Sequence, residues 1–274
     1  MTDANAFAKW KQTILKDSPK LSLKDTFNFS CHKGLSCFTK CCADVNIFLT
    51  PYDILRMKRR LKISSEEFLK KFTTAITLDG RGFPTVILKM REDELKRCPF
   101  VSEEGCGIYE DRPWSCRMYP IGMASPDKNH SSEWEEFYFI VDQEFSCLGF
   151  DDGEKRTIEG WKKNQGVNDY ELKGNSYKDI TLHSFFLGGG RLTPEKTNMF
   201  YMACYDIDRF RRFILGSRFF NLFDIDERTM GNIKSNEEDL LEFGYRWIRF
   251  SLFQENTLKV KETVLEEKRK NLGL

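Results

Sequence analysis

Hydrophobic and polar positions predict two short helices behind the first group of cysteines. Residues 50–53 resemble a capping box with proline at the first helical position, and the apolar residues that follow have helical spacing. A second cap at residues 64–67 precedes another run with the same spacing. The apolar positions of the two runs are Ile54, Leu55, Met57, Leu61, Phe68, Leu69 and Phe72.

Two further stretches have the composition of β-strands. Residues 85–90 follow a glycine-rich turn at residues 80–82, and residues 137–141 are aromatic and β-branched. The second group of cysteines lies between these stretches, in sequence interrupted by glycine and proline that predicts loops. The pattern therefore predicts an α+β fold with an irregular, cysteine-rich part made of short strands and helices.

The chain becomes helical and aromatic beyond residue 155. Predicted helices begin at Thr193, include residues 199–215 and 237–253, and end in a charged helix near Lys270. Breaks rich in asparagine and glycine are expected near residues 164–176 and 188–190. We therefore expect a cysteine-cluster metal-binding domain at residues 1–154 and an α-helical C-terminal region at residues 155–274.

Composition and charge exclude several classes of protein. Hydrophobic residues make up 40% and charged residues 31% of the chain, and the formal net charge is +1, which is typical of a folded globular protein without a nucleic-acid partner. No apolar stretch approaches the roughly 18 residues of a membrane span, and the N-terminal residues lack the pattern of a secretory signal. We expect a cytoplasmic protein, where thiols stay reduced and cysteines bind metal or act in catalysis.

Eight of the nine cysteines form a candidate metal site. Thiolates select zinc, copper(I) or iron–sulfur clusters. Zinc sites usually contain paired ligands two to four residues apart, whereas iron–sulfur clusters accept the wider spacings seen here, so an iron–sulfur cluster is the preferred cofactor and zinc the alternative. The predicted ligands are Cys31, Cys37, Cys41, Cys42, Cys98, Cys106, Cys116 and Cys147.

The adjacent cysteines Cys41 and Cys42 suggest more than one site, because neighbouring side chains diverge. Eight thiols would supply two four-thiolate sites, or one site with the remaining thiols structural. The ninth cysteine, Cys204, lies on a predicted helix among apolar residues and is expected to be a buried thiol. Arg112 and Arg117 either offset the charge of the thiolates or form surface ion pairs.

Three segments resemble a known family. Residues 37–42, 47–53 and 105–120 are similar to the YkgJ-like cysteine-cluster family, which is described as zinc- or iron-chelating. The longest segment, GCGIYEDRPWSCRMYP, contains C-x-I-Y-x-x-R-P-x-x-C-R-x-Y-P. Many members begin with C-x-x-C-x-x-C-C, whereas the first four cysteines here are spaced more widely.

The cysteine region is also similar to that of the flagellin lysine N-methylases. That resemblance implies a [4Fe-4S] cluster working with S-adenosylmethionine to methylate protein lysines. Three functions are therefore expected: an iron–sulfur protein with redox or group-transfer chemistry, a structural zinc module that binds a protein partner, or a methyltransferase with a protein substrate.

Two other features have either a binding role or a purely structural role. Residues 188–190 are three glycines that either bind phosphate at the start of a helix or connect two helices, and the connection is preferred. The aromatic and arginine-rich stretch at residues 205–223 superficially resembles a stacking platform for nucleic acid, but helical spacing favours core packing.

Overall fold

The computed structural model describes residues 18–77, 82–124, 136–141 and 147–272, and the fold is α+β as predicted. The strands are β1 (Thr26–Asn28), β2 (Phe48–Leu49), β3 (Thr73–Ile76), β4 (Thr85–Leu88), β5 (Val101–Ser102), β6 (Gly105–Cys106), β7 (Ile121–Ala124), β8 (Phe137–Ile140) and β9 (Lys155–Thr157). Short 3₁₀ helices cover Lys40–Cys42, Tyr109–Asp111 and Leu148–Phe150. The predicted turn at residues 80–82 lies mostly outside the described residues.

The C-terminal half is mainly helical, which confirms the predicted fold class. The helices are α1 (Pro51–Leu61), α2 (Ser65–Phe72), α3 (Trp114–Met118), α4 (Ile158–Asn164), α5 (Val167–Thr181), α6 (Ser184–Leu187), α7 (Pro194–Cys204), α8 (Ile207–Gly216), α9 (Phe219–Leu222), α10 (Glu227–Ser235), α11 (Glu237–Phe253) and α12 (Glu262–Leu272). None of the described helices is both long enough and apolar enough to cross a membrane.

The strands form small antiparallel sheets. The largest has the order β2-β4-β3, and the other pairs are β1-β9, β5-β6 and β7-β8. In the β1-β9 pair, Phe27 lies opposite Arg156, so the start of the cysteine-rich segment is hydrogen-bonded to chain that follows the last of the eight cysteines. This pairing brings sequence-distant cysteines into one region.

Both predicted helix caps are confirmed. The Thr50 hydroxyl accepts a hydrogen bond from the Asp53 N–H at 3.1 Å, and the Asp53 carboxylate accepts one from the Thr50 N–H at 2.7 Å. Pro51 occupies the first position of α1, where its missing N–H costs nothing. The Ser64 hydroxyl accepts from the Glu67 N–H at 3.1 Å and begins α2.

The predicted helical run at residues 199–215 is in fact two helices. α7 ends at Cys204 and α8 begins at Ile207, because Asp206 caps α8 by accepting from the Arg209 N–H. The same carboxylate accepts a buried hydrogen bond from the Ser65 hydroxyl at 2.7 Å. Helical periodicity continues across the break and therefore hides it.

The break predicted at residues 164–176 is largely wrong. Gly166 adopts a left-handed conformation (φ 65°) between α4 and α5, but α5 then continues through Gly174 to Thr181. Its residues Val167, Tyr170 and Ile180 are buried. Tertiary burial of this face outweighs the weak helix propensity of its asparagine and glycine residues.

The largest hydrophobic cluster contains side chains from both halves of the sequence, including Phe68 of α2, Phe200 of α7 and Phe210 of α8. Tyr205, Phe210, Phe219 and Phe223 of the aromatic stretch are buried in it, which confirms the core-packing interpretation. A second, smaller cluster surrounds Phe29. The division at residue 154 remains a prediction.

A buried ion-pair network joins α1 to the C-terminal helices. The Lys58 ammonium lies 2.9 Å from the Asp208 carboxylate and 2.5 Å from the Glu237 carboxylate. Arg59 extends the network to Glu237 at 2.6 Å. Because Lys58 is buried, its loss would remove the cation from the partly buried Asp208 and leave Glu237 paired with arginine alone.

We expect Lys58→Met to lower the free energy of unfolding by about 3–5 kcal/mol, because it leaves buried charge uncompensated. Urea unfolding monitored by circular dichroism measures the change. The matched control is Arg212→Met, which removes an exposed ion pair with Glu66 and should cost about 0–1 kcal/mol. Equal losses in the two variants would contradict a special role for Lys58.

The same network should be sensitive to acid. Burial raises the pKa of both carboxyls, but hydrogen bonds from the Ser65 N–H and from Lys58 hold the pKa of Asp208 below its ordinary value of 3.8. Hydrogen bonds from Lys58 and Arg59 likewise hold the pKa of Glu237 below 4.5. Because these folded-state pKa values are depressed, the stabilisation is present above the ordinary values and is lost as the pH falls through the folded-state values.

The difference in unfolding free energy between the wild-type protein and Lys58→Met should therefore shrink as the pH is lowered from about 6 to about 3. Urea titrations of both proteins at each pH measure it. A difference that stays constant over this range would show that the carboxylates do not depend on Lys58.

Candidate metal centre

Four of the predicted ligands gather around the β5-β6 hairpin, and we call them the hairpin set: Cys42, Cys98, Cys106 and Cys116. The Cys98 N–H donates to the Cys42 carbonyl at 2.7 Å. Cys106 lies in β6 opposite Val101 of β5, which brings it back towards Cys98. Cys116 is carried by α3 and its thiol neighbours Cys98 and Cys106.

The other four predicted ligands form a second group, the loop set: Cys31, Cys37, Cys41 and Cys147. The Cys31 thiol neighbours the other three. Next to Cys31, the Ser30 N–H donates to the Gly149 carbonyl at 2.9 Å, which holds the chain after Cys147 against the first cysteine loop. The structure therefore divides the eight cysteines into two groups of four.

The two sets meet at the adjacent pair Cys41 and Cys42. Both residues belong to the 3₁₀ helix Lys40–Cys42, and the Cys42 thiol donates a hydrogen bond to Cys41. The expectation that these side chains diverge is thus wrong for the thiols themselves, which are in contact. Their other neighbours differ, since Cys41 lies beside Cys31 whereas Cys42 lies beside Cys98 and Cys116.

Burial keeps most of these thiols protonated in the absence of metal. Partial burial of its sulfur and three neighbouring thiols raise the pKa of Cys31 to about 11, although the residue as a whole is exposed. Burial and neighbouring thiols raise the pKa of Cys116 to about 12. Burial also raises the pKa of Cys98 and Cys106. The hydrogen bond that Cys41 accepts from Cys42 lowers the pKa of Cys41.

Backbone N–H groups oppose this rise in the thiol pKa values of the hairpin set. The N–H groups of Phe100 and Val101 donate to the Cys98 sulfur, and the Ile108 N–H donates to the Cys106 sulfur. Such N–H···S bonds favour the thiolate over the thiol and are a common means of tuning metal-bound cysteines. Gly105 permits the hairpin turn, because its φ is 108° and a Cβ there would lie 3.2 Å from the Phe38 ring.

Arg112 and Arg117 are both buried, so the expectation of surface ion pairs is wrong. The Arg112 guanidinium stacks 3.7 Å from the centre of the Tyr109 ring and favours ionisation of the Cys106 and Cys116 thiols. Arg117 instead donates to backbone carbonyls, at 2.7 Å to Gln165 and 3.1 Å to Arg112. Arg112 supplies positive charge to the hairpin set, and Arg117 holds the surrounding chain.

A buried carboxylate that was predicted only as a helix cap also positions the hairpin set. Asp53 is 0% exposed, and one of its oxygens accepts from the Trp114 N–H at 2.8 Å. Trp114 is the first residue of α3, which carries Cys116. No sequence signal reveals this contact, because the capping box explains Asp53 by itself.

His32 and Cys204 lie outside both sets. The Nδ1 atom of His32 accepts from the Gly34 N–H at 3.1 Å, and its Nε2 atom lies 2.7 Å from Asp152, so both ring nitrogens have partners. Cys204 is 1% exposed and belongs to the largest hydrophobic cluster. The prediction that Cys204 is a buried apolar thiol is confirmed.

The chemistry of the donors fits a thiophilic metal. All nine cysteines are free thiols, and each set offers four sulfurs, the number that zinc and iron–sulfur sites commonly use. Within the described ranges, no three cysteine, histidine or carboxylate side chains already form a group that could hold a metal ion. Metal binding would therefore have to draw the neighbouring thiols together and displace their protons.

Comparison with known families identifies the cysteine-rich segment. Residues 30–144 match the model of the family CxxCxxCC, which is described as "Putative zinc- or iron-chelating domain". The match confirms the resemblance of this segment to the cysteine-cluster family. The matched domain includes seven of the eight predicted ligands, and Cys147 lies just beyond it.

The family supports metal binding in general. No curated protein and no solved structure matches the chain. An iron–sulfur cluster, zinc, S-adenosylmethionine, protein methylation and a protein partner or substrate stay predictions.

Asp53→Asn should weaken metal retention, because the single oxygen of an amide cannot accept all the hydrogen bonds that the two carboxylate oxygens accept. We expect a loss of about 1–3 kcal/mol in unfolding free energy, and metal release at a lower chelator concentration. The control is Asp44→Asn, because Asp44 is exposed and its φ of 48° is one that asparagine tolerates. Equal metal retention in the two variants would contradict a positioning role for Asp53.

Proposed function

We propose that this protein is a cytoplasmic iron–sulfur protein whose cysteine-cluster domain holds the cluster on the thiolates of the hairpin set. The observation that carries the proposal is the gathering of four thiols from separate segments, together with backbone N–H donors aimed at two of their sulfurs. An all-sulfur set of four is the usual ligand set of [2Fe-2S] and [4Fe-4S] clusters.

Two buried donors beside Cys116 favour a cluster over a single zinc ion. Among the described residues, the Trp114 indole N–H and the Ser115 hydroxyl are buried and have no hydrogen-bond partner. Both lie in α3, the helix that carries Cys116. The thiolates of either metal accept hydrogen bonds, but a cluster adds inorganic sulfides as further acceptors for these two donors, whereas a zinc ion adds none.

When bound, such a cluster supplies one-electron transfer or assists group transfer. The protein's own residues would hold it and adjust its charge. Arg112 lies beside Cys106 and Cys116 and would offset part of the negative charge of the thiolates. Asp53 and Arg117 would hold α3 and the chain before it in place.

A structural zinc site is the second candidate. The hairpin set contains cysteines from three segments: the 3₁₀ helix with Cys42, the β5-β6 hairpin and α3. A closed zinc site would crosslink these segments, which supports a structural role. N–H···S bonds to Cys98 and Cys106 would stabilise zinc thiolates as well. The cytoplasm is proposed because all nine cysteines are free thiols, as expected in a reducing compartment.

Protein purified without oxygen should be coloured and should contain iron together with acid-labile sulfide. Cys116→Ser should lose most of both, because it removes a ligand of the hairpin set. Cys204→Ala should keep both at the wild-type level, since Cys204 lies in the apolar core. Circular dichroism spectra of both variants show whether they remain folded.

Colourless wild-type protein with stoichiometric zinc and no sulfide would overturn the iron–sulfur proposal in favour of the zinc site. Iron loss in Cys204→Ala, with its fold intact, would overturn the assignment of ligands.

A further inference from the structure

The loop set has the composition of a metal site in its own right. We propose that Cys31, Cys37, Cys41 and Cys147 bind a second thiophilic metal ion, separate from the metal of the hairpin set. This inference rests on the metal-binding part of the proposed function and goes beyond it, because the site is completed by Cys147, outside the matched family domain.

Backbone pairing brings the two ends of this set together. β1 pairs with β9, and the Ser30 N–H donates to the Gly149 carbonyl at 2.9 Å. Two residues further on, His32 contacts Asp152 at 2.7 Å. The chain on both sides of Cys31 is thus fixed to chain that follows Cys147, and the two thiols are neighbours.

Local turns bring in the two remaining thiols. The Lys40 N–H donates to the Cys37 carbonyl at 3.0 Å and starts the 3₁₀ helix that contains Cys41. Cys37 is buried, whereas Cys31 is exposed. The loop set therefore has a buried side and a side open to solvent, which gives a metal ion a route of entry.

The two sets pack against different parts of the core. Cys98 and Cys106 of the hairpin set contact the largest hydrophobic cluster. Cys147 contacts the smaller cluster around Phe29, together with Tyr119. The Tyr119 hydroxyl also lies beside the Cys147, Cys41 and Cys31 thiols, where a phenol can donate to a thiolate.

Four thiolates without a nitrogen or carboxylate ligand select a soft or borderline metal such as Zn²⁺ over Ca²⁺ or Mg²⁺. The adjacent residues Cys41 and Cys42 would each ligate a different metal. This explains why the chain places two cysteines side by side where one four-ligand site would need only one of them.

Cobalt(II) is a suitable probe, because it binds the same thiolate sites as zinc and its thiolate complexes are coloured. The reduced, metal-free full chain should bind about two equivalents of Co²⁺ by equilibrium dialysis. Cys147→Ala and Cys31→Ala should each bind about one, and so should Cys106→Ala. Near-ultraviolet circular dichroism after cobalt binding shows whether each variant is folded.

The sharpest comparison uses the adjacent pair. Combined with Cys106→Ala, which empties the hairpin set, Cys41→Ala should abolish the remaining cobalt binding, whereas Cys42→Ala should leave it unchanged. Binding of a single equivalent by the wild-type protein would overturn the proposal. So would the loss of both equivalents in a folded Cys147→Ala variant, because that result indicates one shared site.

The same measurements test the iron–sulfur proposal separately from the second metal site. Two cobalt equivalents in a protein that lacks iron and sulfide when purified would support the second site and overturn the cluster. One cobalt equivalent in a protein that contains iron and sulfide would overturn the second site alone.

Discussion

The buried carboxylate of Asp53 is the interaction on which the arrangement of the cysteine domain depends. One of its oxygens accepts from the Thr50 N–H and hydroxyl at 2.7 Å each, and the other accepts from the Trp114 N–H. The Asp53 carboxylate therefore caps the start of α1 and also holds the start of α3. Burial raises the pKa of Asp53, while these donors and the nearby Arg117 oppose the rise. The ionised carboxylate is therefore stable in the folded protein only when all its hydrogen-bond donors are in place.

The helical half of the chain supports the cysteine domain directly. Tyr170 of α5 packs edge-on against Tyr52 of α1, with ring centres 5.1 Å apart, and Arg117 donates to the Gln165 carbonyl just before α5. Arg56 of α1 forms an ion pair with Asp111 at 2.6 Å, next to the segment that leads to Cys116. The metal-binding loops thus lie on a framework of packed helices, which holds irregular chain in position.

Two neighbouring sets of four thiols require a particular chemistry. Protonated thiols are neutral, and burial favours this state at Cys98, Cys106 and Cys116. As thiolates they would repel one another unless a metal ion neutralised them, so metal binding and proton release are coupled. The N–H···S bonds and Arg112 reduce this cost in the hairpin set before any metal arrives.

The sequence by itself determined the identity of the candidate ligands, the exclusion of Cys204 and the starts of α1, α2 and α7, because caps and soft ligands are local signals in residue type and spacing. It did not locate the break between α7 and α8 or the continuity of α5, where buried contacts override propensity. Only the tertiary structure shows that the thiols form two sets, that Arg112 is buried and that Asp53 accepts a hydrogen bond from α3. These features depend on pairings between distant segments, such as β1 with β9, and spacing along the chain does not encode which distant segments meet.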